Sequence, residues 1–200
     1  MSDKRDAAFE EKRRAILRAA TKVFAQKGYT GTRVGDIAKE AGIAYGLIYH
    51  YFANKEDILN SLFQGTWSLT LKVLEGIHEE GGTLRTKLRK IAGFFLEAWS
   101  LQPDVVEVVV LEVIRSPKFL EAANLEAFQK TFMLLEKVIA SHQDQLREGT
   151  DPRMAAVLFL GSLEILLTGF VAREFLSEGL NTESGADAVV DTFLYGIVGS

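Results

Sequence analysis

Cysteine is absent from this chain of 200 residues, which excludes disulfides, thiolate metal sites and thiol nucleophiles. Proline occurs only 3 times, and that favours long uninterrupted helices over frequent turns. Histidine is scarce as well, with 3 residues at positions 50, 78 and 142. They lack the spacing of an H-E-x-x-H zinc site, no P-loop or G-x-G-x-x-G is present, and no nucleophile is joined to a base. Neither catalysis nor a metal or organic cofactor is therefore expected. No apolar run is expected to reach membrane-spanning length, because the longest, Ala155 to Ala172, is interrupted by Glu164 and by small or polar positions. The opening stretch MSDKRDAAFEEKRR holds no apolar segment and is read as lacking a secretory signal. With the missing cysteines, this points to a cytoplasmic protein. Strand alternation, sequence repeats and low-complexity segments are also missing, which leaves an all-α fold of about nine helices.

What the chain does have is an uneven charge. Its net charge of −4 alone would argue against a nucleic-acid partner. Residues 1–55, however, carry 11 Lys and Arg against 6 Asp and Glu, a net of +5. The remaining residues carry 12 against 21, a net of −9. A basic head on an acidic body implies that only one end meets phosphate.

The stretch from Thr32 to Lys55, TRVGDIAKEAGIAYGLIYHYFANK, organises that head. Val34, Ile37, Ala38 and Ala41 share one face of a short helix, and Gly42 stands where the chain must reverse. Ile48, Tyr51 and Phe52 give a second short helix its apolar side, leaving Tyr45, Gly46, Tyr49 and His50 facing outward. One face locks the pair together and the other is free to enter a DNA groove, as a helix-turn-helix requires. Before it, Phe9 to about Gln26 reads as a helix ending at Gly28, after a frayed tail of about eight residues. Thr32 is expected to cap the first helix of the motif and Asn54 the helix after the motif, with Asp57 completing a capping-box-like pair.

The run from Gly42 to Leu59, GIAYGLIYHYFANKEDIL, closely resembles the signature of the TetR family of bacterial transcriptional regulators. That resemblance covers roughly the first 60 residues. It implies a three-helix DNA-binding domain over residues 1–54 and a helical ligand-binding and dimerisation domain over 55–200, joined by a linking helix of about 55–78. It also implies that Tyr45 and Tyr49 meet base edges, methyl groups and nearby phosphates, that His50 and Lys55 bind phosphate, and that Gly46 permits close approach. Thr32 and Arg33, at a helix start, are candidates for further phosphate contact, and Ala44 stands at a reading position. The chain departs from the family pattern at Ala44, Tyr45 and Leu47, where Ser, Lys and a polar residue are usual. Apolar contact with thymine methyls, or aromatic stacking on the sugar-phosphate, is the expected replacement.

Beyond the linking helix, EEGGT at 79–83 is the clearest break, and Thr83, Pro103, Ser116-Pro117, Asp151-Pro152 and Thr182 each read as a helix start. The helix after Ser116-Pro117 is expected to reach about Leu146. Thirteen Phe and two Trp in a helical body favour an apolar cavity for a small hydrophobic molecule. Trp67, Phe95, Trp99, Phe128, Phe132 and Phe159 are the candidate lining. Arg115 is either a partner for its own helix end or a handle for an anionic head group, and Glu164 either a surface residue or a polar contact within the cavity. The segments NKEDILNSLF (54–63) and VVLEVIR (109–115) resemble the fatty-acid-degradation regulators of the family, which respond to long-chain acyl-CoA. Gly161, Gly169, Phe193 and Ile197, on the last two helices, are the expected dimer contacts.

The resulting expectation is a ligand-responsive repressor, nucleoid-associated in the cytoplasm, that binds a palindromic operator as a homodimer and is released by a hydrophobic inducer. The alternative is a ligand-binding or adaptor protein of the same fold that has lost specific DNA binding.

Overall fold

A computed structural model describes residues 2–115, 122–172 and 182–195, and among them are nine α-helices and no strand. They are α1 (Ser2–Gly31), α2 (Val34–Glu40), α3 (Tyr45–Ile48), α4 (Lys55–Glu79), α5 (Leu84–Leu101), α6 (Pro103–Arg115), α7 (Ala122–Ala140), α8 (Pro152–Ala172) and α9 (Thr182–Tyr195).

The helix starts follow the capping residues. Asn54 Oδ1 accepts from the Asp57 N–H at 2.8 Å, while the Asp57 carboxylate reaches back to the Ala53 N–H at 2.9 Å. Thr83 Oγ1 accepts from the Thr86 N–H, and Asp151 Oδ1 accepts from Arg153 N–H just after Pro152 opens α8. At the far end of α4, Lys87, only 5% exposed, donates its ammonium to the His78 carbonyl at 2.8 Å. A buried cation there satisfies a carbonyl left over at a helix C-terminus and opposes the negative end of its dipole.

Several boundaries differ from expectation. The first helix begins at Ser2 rather than near Phe9. Phe9 packs its ring against Tyr51 at 4.7 Å and His50 at 6.1 Å, so the early turns of α1 rest on the motif instead of fraying. Helix α7 stops at Ala140, short of the expected Leu146. There the Ser141 hydroxyl and a His142 ring nitrogen both take the Val138 carbonyl, which a continuing helix would need for itself. The other His142 nitrogen lies 3.1 Å from the Gly82 carbonyl and ties this end to the α4–α5 turn. Ser116-Pro117 lies outside the described residues.

Two apolar cores result. The head core gathers Ile16, Ala20, Val23 and Phe24 of α1 with Ile37, Ala38, Ile48 and Phe52, and is closed by Ile58, Leu59, Leu62 and Phe63 of α4. Val108 of α6, 2% exposed, belongs to this core although it comes from the second half of the chain. The body core is built from α4, α5, α6, α7, α8 and α9, with Phe159 fully buried in it. Ion pairs from Arg85 and Arg89 to Asp187 and Asp191 fasten α5 to α9 at the surface.

Helix α8 corrects one expectation. Among the described residues it is the one helix long and apolar enough, by length and composition, to cross a membrane. In the fold it has two apolar sides. Ala155, Ala156, Phe159, Leu163 and Leu167 face the core, while Met154, Val157, Leu158 and Ile165 are exposed.

Candidate DNA-reading head and apolar cavity

The turn between α2 and α3 is made by Gly42 at φ 64°, a left-handed conformation that favours glycine. Ile43 N–H bonds back to Ala38 O at 3.0 Å and Gly42 N–H to Lys39 O at 3.2 Å, the paired bonds of a Schellman closure. The second element of the motif is shorter than a full helix. Tyr45–Ile48 forms one turn, and Tyr49 to Phe52 continue as hydrogen-bonded turns, held inward by Ile48 (0% exposed) and Phe52 (2% exposed).

The outer side of this element carries the expected residues. Ala44, Tyr45, Gly46, Tyr49 and His50 are all exposed, as is Arg33. A Cβ added at Gly46 would meet no atom within 4 Å, so its surface stands open. Tyr45 and Tyr49 are not independent. Their hydroxyls lie 2.7 Å apart and their rings meet edge-to-face at 5.4 Å, and that hydrogen bond raises the Tyr49 hydroxyl above its ordinary pKa. The pair presents one aromatic surface with two polar tips.

Two residues expected at phosphate turn inward instead. Thr32 is 2% exposed, and its hydroxyl donates to Gly28 O at 2.8 Å. The capping position belongs to Arg33, whose N–H is taken by the Asp36 carboxylate at 2.9 Å. Gly28, at φ 69°, breaks α1 and places its own carbonyl within reach of Thr32. Lys55 donates to Tyr29 O at 2.7 Å and Thr32 O at 2.8 Å, with its ammonium 4.3 Å from the Tyr29 ring centroid. Burial pushes its pKa below the ordinary lysine value, with Glu112 of α6 opposing that shift. The Glu112 carboxylate also accepts from the Tyr29 N–H at 3.4 Å. Lys55 thus clamps the α1–α2 connection to α4, beside a carboxylate supplied by the body.

The body contains a cavity of about 280 Å³ lined by Trp67 of α4, Phe95 of α5, Val109 and Val110 of α6, Phe128 and Thr131 of α7, and Leu160, Leu163, Glu164 and Leu167 of α8. Three of the six aromatic residues expected there do line it: Trp67, Phe95 and Phe128. Trp67 and Phe128 meet edge-to-face at 5.6 Å. The other three do not line this cavity. Trp99 stacks on Phe170 at 6.3 Å, Phe159 packs edge-to-face on Phe193 at 5.2 Å in the core, and Phe132 packs against that core. The Arg115 side chain and Ile197 lie outside the described residues. Valines and leucines supply most of the remaining wall. No spacing marks those of α8 in the sequence, because that helix is apolar on two sides.

The expected dimer contacts differ in their exposure. Gly169 is buried within the protomer, whereas Phe193 is half-buried against Phe159 and keeps part of its ring exposed. Gly161 has open space about it and lies along the exposed row Met154, Val157, Leu158, Ile165.

Residues 16–62, which hold α2, α3 and the inward-facing residues of the head, match the family of bacterial regulatory proteins called tetR. The fatty acid metabolism regulator protein of Bacillus subtilis is 30% identical over 161 residues, 80% of this chain and 83% of that protein. The likeness therefore runs well into the body. Among solved structures, the fatty acid degradation regulator FadR of Bacillus halodurans superposes with a TM-score of 0.83 at 26% identity, covering 93% of this chain and 96% of that one. FadR of Bacillus subtilis in complex with stearoyl-CoA gives 0.81 at 27% identity, covering 92% and 98%. A basic helix-turn-helix head on a cavity-bearing helical body, matched in sequence at the head and in fold along nearly the whole length, is the plan of a transcriptional regulator and not of an enzyme. The chain belongs to the TetR family of bacterial regulatory proteins.

Proposed function

We propose that this regulator is a repressor whose grip on a palindromic operator is relieved when an apolar acyl group, carried as a coenzyme A thioester, fills the body cavity. In this reading residues 1–54 are the DNA-binding domain, and residues 55–200 bind ligand and dimerise. The supporting observation is the double membership of α6. Val109 and Val110 line the cavity, while Val108 and Val109 pack into the head core. A ligand that moves α6 disturbs the head at the same time. It switches DNA binding only if it binds the two head arrangements with different free energies. Among the relatives, the FadR solved with stearoyl-CoA favours an acyl thioester over other apolar ligands.

The reading surface is Arg33, the Tyr45–Tyr49 pair, Gly46 and His50, with Ala44 at its edge. The tyrosine rings supply apolar contact for thymine methyls and their hydroxyls reach base edges or phosphate. One turn of helix buries too little to hold DNA alone, so two heads about 34 Å apart are needed. The exposed α8 row, with Gly161 allowing close approach, is the dimer face that supplies the second head. As a repressor of this family, the protein works at the nucleoid, in the cytoplasm.

Fluorescence anisotropy with the protein's own upstream DNA tests the reading. Binding should strengthen steeply as salt falls and weaken when an acyl-CoA is added. The alternative, an adaptor that has lost DNA binding, draws on Ala44, Tyr45 and Leu47, where the usual hydroxyls and cation are missing. It predicts acyl-CoA binding with no response to that DNA at any salt concentration.

A further inference from the structure

Glu164 is the one charged residue among those lining the cavity. The other polar lining residue, Thr131, spends its hydroxyl on the Ala127 carbonyl at 3.0 Å. Leu160 and Leu167 lie one turn to either side of Glu164 and line the same wall, while Leu163 beside it is 1% exposed. Glu164 itself is exposed, and so is its neighbour Ile165. It therefore stands where the cavity-facing side of α8 meets the surface. The cavity is an apolar pouch with an acceptor-only anion at its rim.

Resting on the acyl-ligand reading above, we propose that Glu164 sets head-group specificity. It admits apolar tails whose first polar groups are uncharged hydrogen-bond donors, such as the amide N–H groups of a pantetheine thioester, and turns away tails that end in a free carboxylate. With the tail in the pouch, the first polar group of the ligand lies at the rim. A donor there gains a charge-assisted hydrogen bond to Glu164. A carboxylate there gains none and faces a like charge, which at about 5 Å in the intermediate dielectric of a protein rim weakens binding by roughly ten- to a hundredfold. The phosphates of coenzyme A are separated from the thioester by the length of the pantetheine arm and largely escape that repulsion.

Calorimetry with one tail and three head groups tests this: decanoic acid, decanamide and decanoyl-CoA. A ten-carbon tail suits a cavity of about 280 Å³ if a methylene takes about the ~30 Å³ share of a water molecule. Wild type should bind the amide and the thioester at least tenfold more tightly than the acid. Glu164→Gln keeps the shape and removes the charge, so the acid should gain at least tenfold while the thioester, left with a neutral hydrogen bond, should weaken by about fivefold. Raising the salt concentration should narrow the gap in wild type and leave the variant unmoved. Light scattering and a thermal melt check that the variant keeps the size and fold of wild type. An acid-to-thioester ratio that is the same in both proteins overturns the role of Glu164 and leaves the acyl reading standing. If none of the three ligands binds, the acyl reading fails and the specificity claim falls with it.

Discussion

Replacing Lys55 with methionine separates two roles that sequence alone does not distinguish. The side chain stays unbranched, one atom shorter, and loses its charge. Two charge-assisted hydrogen bonds, to Tyr29 O and Thr32 O, disappear with it. Bonds of that kind are worth about 1.5–3 kcal/mol each, and the contact over the Tyr29 ring adds about 0.5–1 kcal/mol. Against this stands the partial desolvation that lowers the lysine pKa, and the freed carbonyls are near enough to the surface to recover water. A net loss of about 2–3 kcal/mol is expected. For a chain of this size that lowers the thermal midpoint by roughly 5–10 °C. DNA affinity should fall with the loss of a stable head, but its dependence on salt should not change, because no phosphate contact has been removed. Arg33→Ala should do the reverse, with a melt like that of wild type and a salt slope shallower by about one unit. Circular dichroism melts and anisotropy titrations at several salt concentrations read both quantities. A Lys55→Met protein that melts with wild type and shows the shallower slope would refute the inward clamp.

Leu160→Trp, which fills the cavity from its α8 wall, should abolish acyl-CoA binding in calorimetry and make operator release insensitive to ligand. Operator affinity without ligand should stay within about threefold of wild type, a shift below about 0.7 kcal/mol. Ile165→Glu sits on an exposed row of the protomer, so it should shift light scattering from dimer to monomer at micromolar concentration with little direct cost to the fold. A dimer unaffected by that charge would put the interface elsewhere. Asp36 and Asp187 are held below the ordinary carboxylate range, Asp36 first by its hydrogen bond from Lys27 and Asp187 first by its hydrogen bond from Arg89. A depressed carboxyl contributes stability that is complete above its unfolded pKa of about 4 and is lost as pH falls through the folded value. The thermal midpoint should therefore drop below about pH 4, and Asp36→Asn with Asp187→Asn should flatten that acid limb. An unchanged limb would remove these two pairs from the account.

The parts of the fold that are legible in sequence are those governed by neighbours along the chain. Asn54, Thr83, Pro103 and Asp151-Pro152 each act on the next turn of backbone, and each helix starts where these residues predict. Gly42 and the inward Ile48 and Phe52 are equally local. The clamp made by Lys55 is not legible, because its acceptors lie 23 and 26 residues away, nor is the inward turn of Thr32, because Gly28 bends a carbonyl back to it. The cavity is half legible. Aromatic residues on amphipathic helices can be assigned to its neighbourhood, but α8 is apolar on two sides. Nothing in its spacing tells Phe159, which is core, from Leu160, which is wall.

The proposed reading element is a single turn of helix, far below the length at which a peptide holds that shape in water. It owes its form to Ile48 and Phe52 beneath it, so the disposition of the tyrosines is dictated from the interior. Operator preference in this lineage should thus be adjustable by substitutions that never touch a base, such as exchanges of Ile48 or Phe52 for residues of slightly different volume.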